Sequence, residues 1–337
     1  MAKRANLTAQ HSHNYLLDGY RIVAILMVLS VHIRGYLEGT PAIVKRILGL
    51  GAYGVALYFI LSGYFSYSSV IKEAKMINYA KKKAIRILPM YYVSLLLTFI
   101  VGVFITGEYP LDLKWLYHVF FFNMFVPSKN WEWWNSVNFF WTMPAFIAWY
   151  VLSPVLFKYM KNSNRMAIAT LITVVLSPFL KNWMYTFASE QFVNWNFLCL
   201  LYVFLFGVLA YFLVKEHNQI KGAIYGIVIT AAGWIIGNRS GFLAFGFVFF
   251  LMILVASIFP IRWSNHKLNH TIKWLSASTY SVYLTHWFVL QFLGESIGKM
   301  PWIIDYICFV IISWIVGGLV YQFIEHPIYR VLNSKRN

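Results

Sequence analysis

Charged and imidazole side chains occur inside the first long apolar stretch of the chain, which runs from Leu16 to Tyr36. An ionisable residue inside a membrane is costly and usually serves a function there. Arg21 and His32 are separated by close to three helical turns, so they share one helix face to within about 20°. Asp18 lies one turn before Arg21 on nearly the same face. The spacing predicts a cation near one membrane surface and an imidazole about 16 Å away along the axis.

This arrangement indicates a reaction whose two substrates arrive from opposite sides of a membrane. Imidazole gains and loses a proton near neutral pH, so His32 is a candidate general base. The alternative is that His32 is a packing residue in an apolar helix. Arg34, at the far end of the stretch, has an alternative to a functional role. Its side chain can extend to the membrane interface, where Glu38 lies one turn further on.

The composition is that of a membrane protein. Of 337 residues, 60% are apolar and only 12% are charged, which excludes an ordinary soluble domain. A net charge of +17 is a feature that nucleic-acid-binding proteins also have. The basic residues fall between the apolar stretches, however, where they set topology, so we expect no nucleic-acid partner. Cys199 and Cys308 both lie in apolar stretches, so we expect neither a disulfide framework nor a metal site.

About ten transmembrane helices are predicted, in a single all-α polytopic domain over residues 1–337. Residues 1–14 are expected to form a flexible cytoplasmic tail, 107–136 an external loop, and 328–337 a second cytoplasmic tail. The predicted spans are 16–36, 49–69, 87–106, 137–159, 166–183, 197–214, 220–236, 241–260, 275–294 and 302–325.

The distribution of positive charge sets the expected orientation. With the N-terminus in the cytoplasm, 19 of the 28 Lys and Arg residues fall in cytoplasmic segments, seven fall in external segments, and two lie in the first span. Because positive charge concentrates on the cytoplasmic side, both termini are expected there.

Five phrases, in order along almost the whole chain, resemble those of the membrane acyltransferase-3 family, whose members acylate extracytoplasmic glycans. Each phrase is short, and the ordered set carries the resemblance. The phrases are LDGYRIVAILMVLSVH (17–32), LYFILSGYF (57–65), KKKAIRILPMYY (81–92), STYSVYLTHWF (278–288) and FIEHPI (323–328).

The resemblance implies an integral membrane O-acyltransferase in a bacterial plasma (inner) membrane. The donor would be cytoplasmic acetyl-CoA or a similar acyl-CoA, and the acceptor a hydroxyl group of an extracytoplasmic glycan or lipid-linked sugar. His32 would act as general base or would carry the acyl group as an acyl-imidazole. Arg21, Lys83 and Arg86 would bind the phosphates of CoA. The alternative for the basic run from Lys81 to Arg86 is topology and anionic membrane lipid.

Two positions depart from the family pattern. Lys83 stands where the family has the first arginine of a pair, and lysine lacks the forked guanidinium that binds phosphate at two points. Phe146, in the stretch WTMPAFIAWY (141–150), stands where many members have a glutamate. These departures weaken any transfer of substrate identity.

Two further residues complete the candidate catalytic set. His286 lies about 18 Å into the ninth predicted span, which places it at the depth of His32. It could orient His32, bind a substrate, or only pack. Asp18 could pair with Arg21 and fix its position. Glu325 ends the last span, where a structural ion pair is the stronger alternative to a catalytic role.

The acceptor subsite is predicted from aromatic residues in the external loop. Indole faces near polar groups suit sugar stacking, although an interfacial aromatic belt has the same composition. The candidate acceptor-binding residues are Trp131, Trp133, Trp134, Arg34 and Glu38.

The alternative function is a transporter or exporter of a glycan or small solute. Intramembrane charges also mark transport paths. A transporter is expected to contain internal repeats, and the sequence shows no clear repeat. It would also move its substrate without consuming acyl-CoA.

Overall fold

The structure is a computed structural model that describes residues 14–73, 76–105, 107, 111–122, 125, 138–259, 266–294 and 296–334. This part of the chain is helical and contains no strand, as the sequence predicts. The helices are α1 (Tyr15–Ile33), α2 (Ala42–Gly49), α3 (Gly54–Lys72), α4 (Met76–Phe99), α5 (Trp115–Val119), α6 (Thr142–Tyr159), α7 (Ser163–Met184), α8 (Glu190–Trp195), α9 (Leu201–Lys215), α10 (Gln219–Ile235), α11 (Gly241–Ile258), α12 (His266–Leu293), α13 (Trp302–Val320) and α14 (His326–Ser334).

Six helical segments of the described chain are long and apolar enough to cross a membrane. The other four predicted spans fall on α6, α9, α10 and α12, of which α9 and α10 are shorter and α12 is rich in polar residues. The six segments are Tyr15–Ile33, Ala42–Ile71, Met76–Ile105, Ser163–Met184, Gly241–Ile258 and Trp302–Ser334.

The ends of α1 differ from the predicted span. Asn14 caps the helix, since its side-chain oxygen accepts a hydrogen bond of 3.1 Å from the Leu16 N–H. The helix ends at Ile33, before the predicted end at Tyr36. The chain then turns through Gly39, whose positive φ of 65° favours glycine. The first predicted span is therefore shorter than expected.

Helical structure also occurs inside two segments that the sequence predicts as a tail and a loop. The predicted C-terminal tail 328–337 is helical as far as Ser334, because α14 continues from α13 through a π-helical turn, Tyr321–Glu325. In the predicted external loop 107–136, residues Trp115–Val119 form α5. Residues 1–13 of the predicted N-terminal tail lie outside the described residues.

Helix α9 is at the centre of the bundle. Almost all of its residues are buried, which is the pattern of a helix that is apolar on every side. It packs most closely on α3, where Gly207 lies against the Ile60 carbonyl and Gly63 against the Phe204 carbonyl. A side chain at either glycine would overlap the facing backbone. The close approach of the two helices therefore depends on glycine at both positions.

Helices α1 and α12 lie side by side and run in the same direction. Near the start of α1, Asp18 accepts a hydrogen bond from Ser276 of α12. Near its end, His32 contacts His286 of α12. Arg21 also donates to Ser276, and it precedes His32 by 11 residues, while Ser276 precedes His286 by ten. The predicted stripe of α1 therefore faces α12 along its length.

Two more helices pack on the same part of α12. The hydroxyl of Tyr280 donates to the Ile87 carbonyl of α4, and Ser94 of α4 donates to the Leu284 carbonyl, each at 2.9 Å. Helix α6 joins through a hydrogen bond of 2.9 Å between the hydroxyls of Thr142 and Tyr283. Helices α1, α3, α4, α6 and α12 together therefore surround one interior space.

Candidate active site

A cavity of about 190 Å³ lies between these five helices. Three cationic side chains line it: Arg21 from α1, and Lys83 and Arg86 from α4. The rest of its wall is mainly apolar and aromatic, and includes Phe65 and Phe146. The cavity thus combines positive charge with a hydrophobic interior, and it brings together the three residues that the sequence predicts for phosphate binding.

Arg21 is fixed by contacts on three sides. Its guanidinium donates a hydrogen bond of 3.0 Å to the buried carboxylate of Asp18 and one of 3.4 Å to the Ser276 hydroxyl. Ser276 in turn donates to Asp18 at 2.8 Å. The guanidinium carbon also lies 4.6 Å from the ring centre of Phe65, a cation–π distance. Because the side chain is still 30% exposed, its remaining N–H groups can bind an anion in the cavity.

Lys83 forms part of the wall through an aromatic contact. Its ammonium lies 4.2 Å from the ring centre of Tyr150, whose hydroxyl is hydrogen-bonded to Ser62. Arg86 is exposed on the same helix one turn along. In the described residues, no carboxylate lies within 4.0 Å of either cation. Both therefore present unneutralised positive charge to an anion.

Two histidines pair beyond the end of the cavity that Tyr283 lines. The ring centres of His32 and His286 are 4.9 Å apart. Trp287 packs edge-on against His32, with 5.8 Å between ring centres. His286 is fully buried. The sequence places both histidines at one depth, and the structure brings them into contact.

The hydrogen bond of His286 defines its tautomer. Its Nδ1 lies 2.5 Å from the backbone carbonyl oxygen of Tyr283, which can only accept. Nδ1 therefore carries the proton, and Nε2 is the basic nitrogen of the neutral ring. A backbone carbonyl that fixes one ring nitrogen orients the other for chemistry.

Tyr283 connects the cavity to the histidine pair. Its side chain lines the cavity and pairs with the buried Thr142 hydroxyl, while its carbonyl binds His286 one turn further along α12. One layer of side chains therefore separates the cation-lined cavity from the imidazoles.

The other predicted site residues are not gathered here. Arg34 and Glu38 are exposed beyond the end of α1. The Arg34 guanidinium lies against Gly49 at the end of α2. Trp131, Trp133 and Trp134 lie outside the described residues. The acceptor subsite therefore stays a prediction.

Several residues of the cavity wall were not expected from the sequence. Ser276, Thr279, Tyr280 and Tyr283 recur at helical spacing on one face of α12. This stripe of hydroxyl groups at helical spacing is the signal that could have identified them. Tyr150 had no such signal, because its role depends on the packing of α6 against α3 and α4.

The described residues contain no group of three His, Cys, Asp or Glu side chains that could hold a metal ion.

Comparison with known proteins identifies the family. A family model described as an acyltransferase domain matches residues 14–322. The chain belongs to the acyltransferase-3 family. The matched range includes the cavity and both histidines, and it ends within the π-helical turn that precedes α14.

Curated relatives of this family member come from Staphylococcus aureus. "Putative O-acetyltransferase SACOL0978" of strain COL is 24% identical over 374 residues, covering 97% of this chain and 59% of the relative. The same figures apply to "Putative O-acetyltransferase SAS0844" (strain MSSA476) and "Putative O-acetyltransferase SAR0937" (strain MRSA252). The chain thus spans about three fifths of the length of these relatives. No solved structure matches the chain. The apolar helices and the staphylococcal relatives fit a bacterial membrane protein.

Proposed function

We propose that the protein transfers an acetyl group from cytoplasmic acetyl-CoA to a hydroxyl group of an extracytoplasmic glycan or glycolipid. One observation carries the proposal: a cation-lined cavity and a histidine pair lie at the two ends of the α1–α12 contact, one side-chain layer apart. Membership of the acyltransferase-3 family and the names of the relatives support acyl transfer as the reaction class.

Charge and polarity support the position that we propose for the donor. The diphosphate of acetyl-CoA carries several negative charges, and Arg21, Lys83 and Arg86 line one cavity. Asp18 serves this site by holding Arg21 in place. The apolar wall around Phe65 suits the pantetheine arm. In this arrangement the thioester points along α1 towards His32.

The chemical step is assigned to His32. Its imidazole takes the proton of the acceptor hydroxyl as the oxygen attacks the thioester carbonyl carbon. The carbon–sulfur bond then breaks, the sulfur leaves with the bonding electron pair, and the imidazolium returns the proton to the CoA thiolate. His286 orients His32, with its own Nδ1–H held by the Tyr283 carbonyl.

The acceptor is assigned to the outer face, where Trp131, Trp133, Trp134, Arg34 and Glu38 are the proposed binding residues. Indole rings stack on sugars, and Arg34 and Glu38 are exposed near the histidine end of α1. The names of the relatives specify O-acetylation and no acceptor.

The experiment is a turnover assay with purified protein in liposomes. Wild-type protein is expected to release free CoA from acetyl-CoA and to acetylate an added lipid-linked oligosaccharide. His270→Ala is the matched control for replacement of a site histidine, because His270 is an exposed histidine on the same helix as His286. The proposal is wrong if folded wild-type protein neither binds nor consumes acetyl-CoA. Movement of the oligosaccharide across the liposome membrane without CoA release would instead identify an exporter.

A further inference from the structure

A second cavity, of about 450 Å³, lies at the end of the bundle where α12 begins and α13 ends. Its wall combines basic, aromatic and polar side chains, and none of them takes part in the proposed reaction. The side chains that define this basic groove are His270, Lys273 and Trp274 of α12, Tyr321 and Gln322 of the π-helical turn, and His326 of α14.

The basic groove is separate from the cation-lined cavity of the candidate active site. The two share no lining residue, although α12 borders both. At about 100° per residue, His270 and Trp274 lie on the side of α12 opposite to Ser276 and Thr279, which line the cation-lined cavity. A ligand in the basic groove therefore occupies a site of its own.

Three rings pack against one another in the wall of the basic groove. Trp274 packs on the backbone of α13 at Gly318, where a side chain would overlap the indole. Tyr321 lies edge-on to Trp274 and also contacts His326, with 6.5 Å and 5.7 Å between the ring centres. Tryptophan and tyrosine are enriched where a membrane protein meets the lipid headgroups. The groove therefore has the composition of a site at the membrane surface.

The positive charge of the basic groove is available to a ligand. Lys273 is exposed, and its ammonium lies 5.5 Å from the ring centre of Tyr15 at the start of α1. In the described residues, no carboxylate lies within 4.0 Å of this lysine or of the two histidines. The neighbouring Glu325 does not line the groove, because it is buried and accepts a hydrogen bond from Ser281. The ammonium and imidazole N–H groups can therefore bind an anion.

The surface that leads to the basic groove suits a lipid. Exposed apolar side chains recur every three or four residues along one face of α13 and into the π-helical turn. This apolar stripe consists of Ile304, Ile307, Ile311, Ile315, Leu319 and Phe323. Gln322, an exposed residue of the groove, follows Leu319 by one turn on the same face. The apolar stripe therefore ends at the groove, as acyl chains end at a headgroup.

We propose that the basic groove binds the phosphate of an anionic phospholipid, whose acyl chains lie along the apolar stripe of α13. Charge favours an anionic headgroup over a zwitterionic one, because a zwitterionic headgroup brings its own cation next to Lys273. A lipid bound there contacts α12, α13 and α14 together and stabilises their packing. The inference goes beyond acyl transfer and does not depend on the proposed function.

Native mass spectrometry of the full chain in detergent tests the proposal, since it resolves individual bound lipids. The probes are phosphatidylglycerol and phosphatidylcholine with identical acyl chains, CoA, and inorganic phosphate. Lys273→Gln removes the charge of the groove and keeps much of the side-chain length, and Gln322→Glu adds a carboxylate. Lys215→Gln is the matched control, because Lys215 is an exposed lysine at the end of α9 and outside the groove.

Wild-type protein is expected to bind phosphatidylglycerol more tightly than phosphatidylcholine. Lys273→Gln should raise the Kd for phosphatidylglycerol about fivefold, the factor that corresponds to one lysine at a charged membrane surface. Gln322→Glu should raise it at least as much, and Lys215→Gln should match wild type. Phosphatidylglycerol should also raise the Tm of wild-type protein more than that of Lys273→Gln.

Four outcomes would overturn the proposal. One is an equal Kd for the two lipids in wild-type protein, and another is an unchanged preference in both Lys273→Gln and Gln322→Glu. Competition between CoA and phosphatidylglycerol that Lys273→Gln abolishes would assign the groove to the acyl donor instead. Binding of inorganic phosphate as tightly as the lipid would assign it to a soluble anion. Both substituted residues are exposed, and the Tm without lipid verifies the fold; should one variant not fold, the other decides.

Discussion

The two ends of α1 differ in how their functional groups are held. At the Arg21 end, a salt bridge, a serine hydroxyl and an aromatic ring fix the cation, and the side chain stays partly open to a cavity. At the His32 end, one imidazole packs on another whose tautomer is set by a backbone carbonyl. The first arrangement suits binding of an anion, and the second suits movement of a proton. Substitutions at the two ends should therefore change different kinetic constants.

The largest effect is expected at the imidazole end. Replacing His32 with Ala removes the general base, so kcat should fall by roughly 10²- to 10⁴-fold. The KM for acetyl-CoA should stay close to wild type, because no phosphate-binding group is altered. Steady-state kinetics in liposomes measure both constants. A variant with normal kcat would show that His32 is only a packing residue.

Arg21→Ala should affect the opposite constant. Loss of a charge-assisted contact to phosphate costs about 1.5–3 kcal/mol, so the KM for acetyl-CoA should rise roughly 10- to 100-fold. Arg21→Lys should recover only part of the loss, because lysine cannot bind Asp18 and a phosphate through one planar fork. Titration of acetyl-CoA against initial rate tests this. An equal fall of kcat in Arg21→Ala and His32→Ala would contradict the assignment of donor binding to one end of α1 and chemistry to the other.

His286→Asn should give a smaller effect at the imidazole end. The asparagine amide can still donate to the Tyr283 carbonyl, but the basic Nε2 is lost. Orienting groups of this kind typically contribute roughly 10- to 100-fold, and the loss should appear in kcat. His270→Ala, on the same helix, should leave kcat unchanged. If His286→Asn keeps full kcat, the pair has no role in the chemistry.

The smallest effect is expected at Lys83. Lys83→Met removes one of three cations, so the KM for acetyl-CoA should rise by roughly fivefold. Lys83→Arg should lower the KM, since a guanidinium can bind phosphate at two points. The measurement is the same titration at several salt concentrations, in which the Lys83→Met variant should show the weaker salt dependence. A change in kcat alone would contradict this assignment.

The sequence predicts the α1 stripe well, because a helix repeat is a local property. A separation of eleven positions places Arg21 and His32 on the same helix face, so both face one neighbour, which is α12. The common depth of His32 and His286 can be estimated from the sequence, whereas their contact requires α1 and α12 to be neighbours in the fold.

Other features depend on tertiary packing and have no local signal. The Tyr283–Thr142 pair and the contact of Lys83 with Tyr150 each require two helices to meet at a particular rotation. The π-helical turn that buries Glu325 depends on how α13 packs on α12, and a regular helical repeat misplaces that residue. The early end of α1 coincides with a turn in which the Tyr36 N–H donates a hydrogen bond of 2.9 Å to the Ile33 carbonyl, and hydropathy alone does not indicate this turn.

The most direct test of the central claim separates binding from chemistry at the two ends of one helix. It is the Kd of a non-transferable acetyl-CoA thioether analogue for wild type, His32→Ala and Arg21→Ala, measured by calorimetry on protein of verified fold. The Kd should be unchanged in His32→Ala and at least tenfold higher in Arg21→Ala. Loss of binding in His32→Ala with normal binding in Arg21→Ala would contradict the assignment of the two ends.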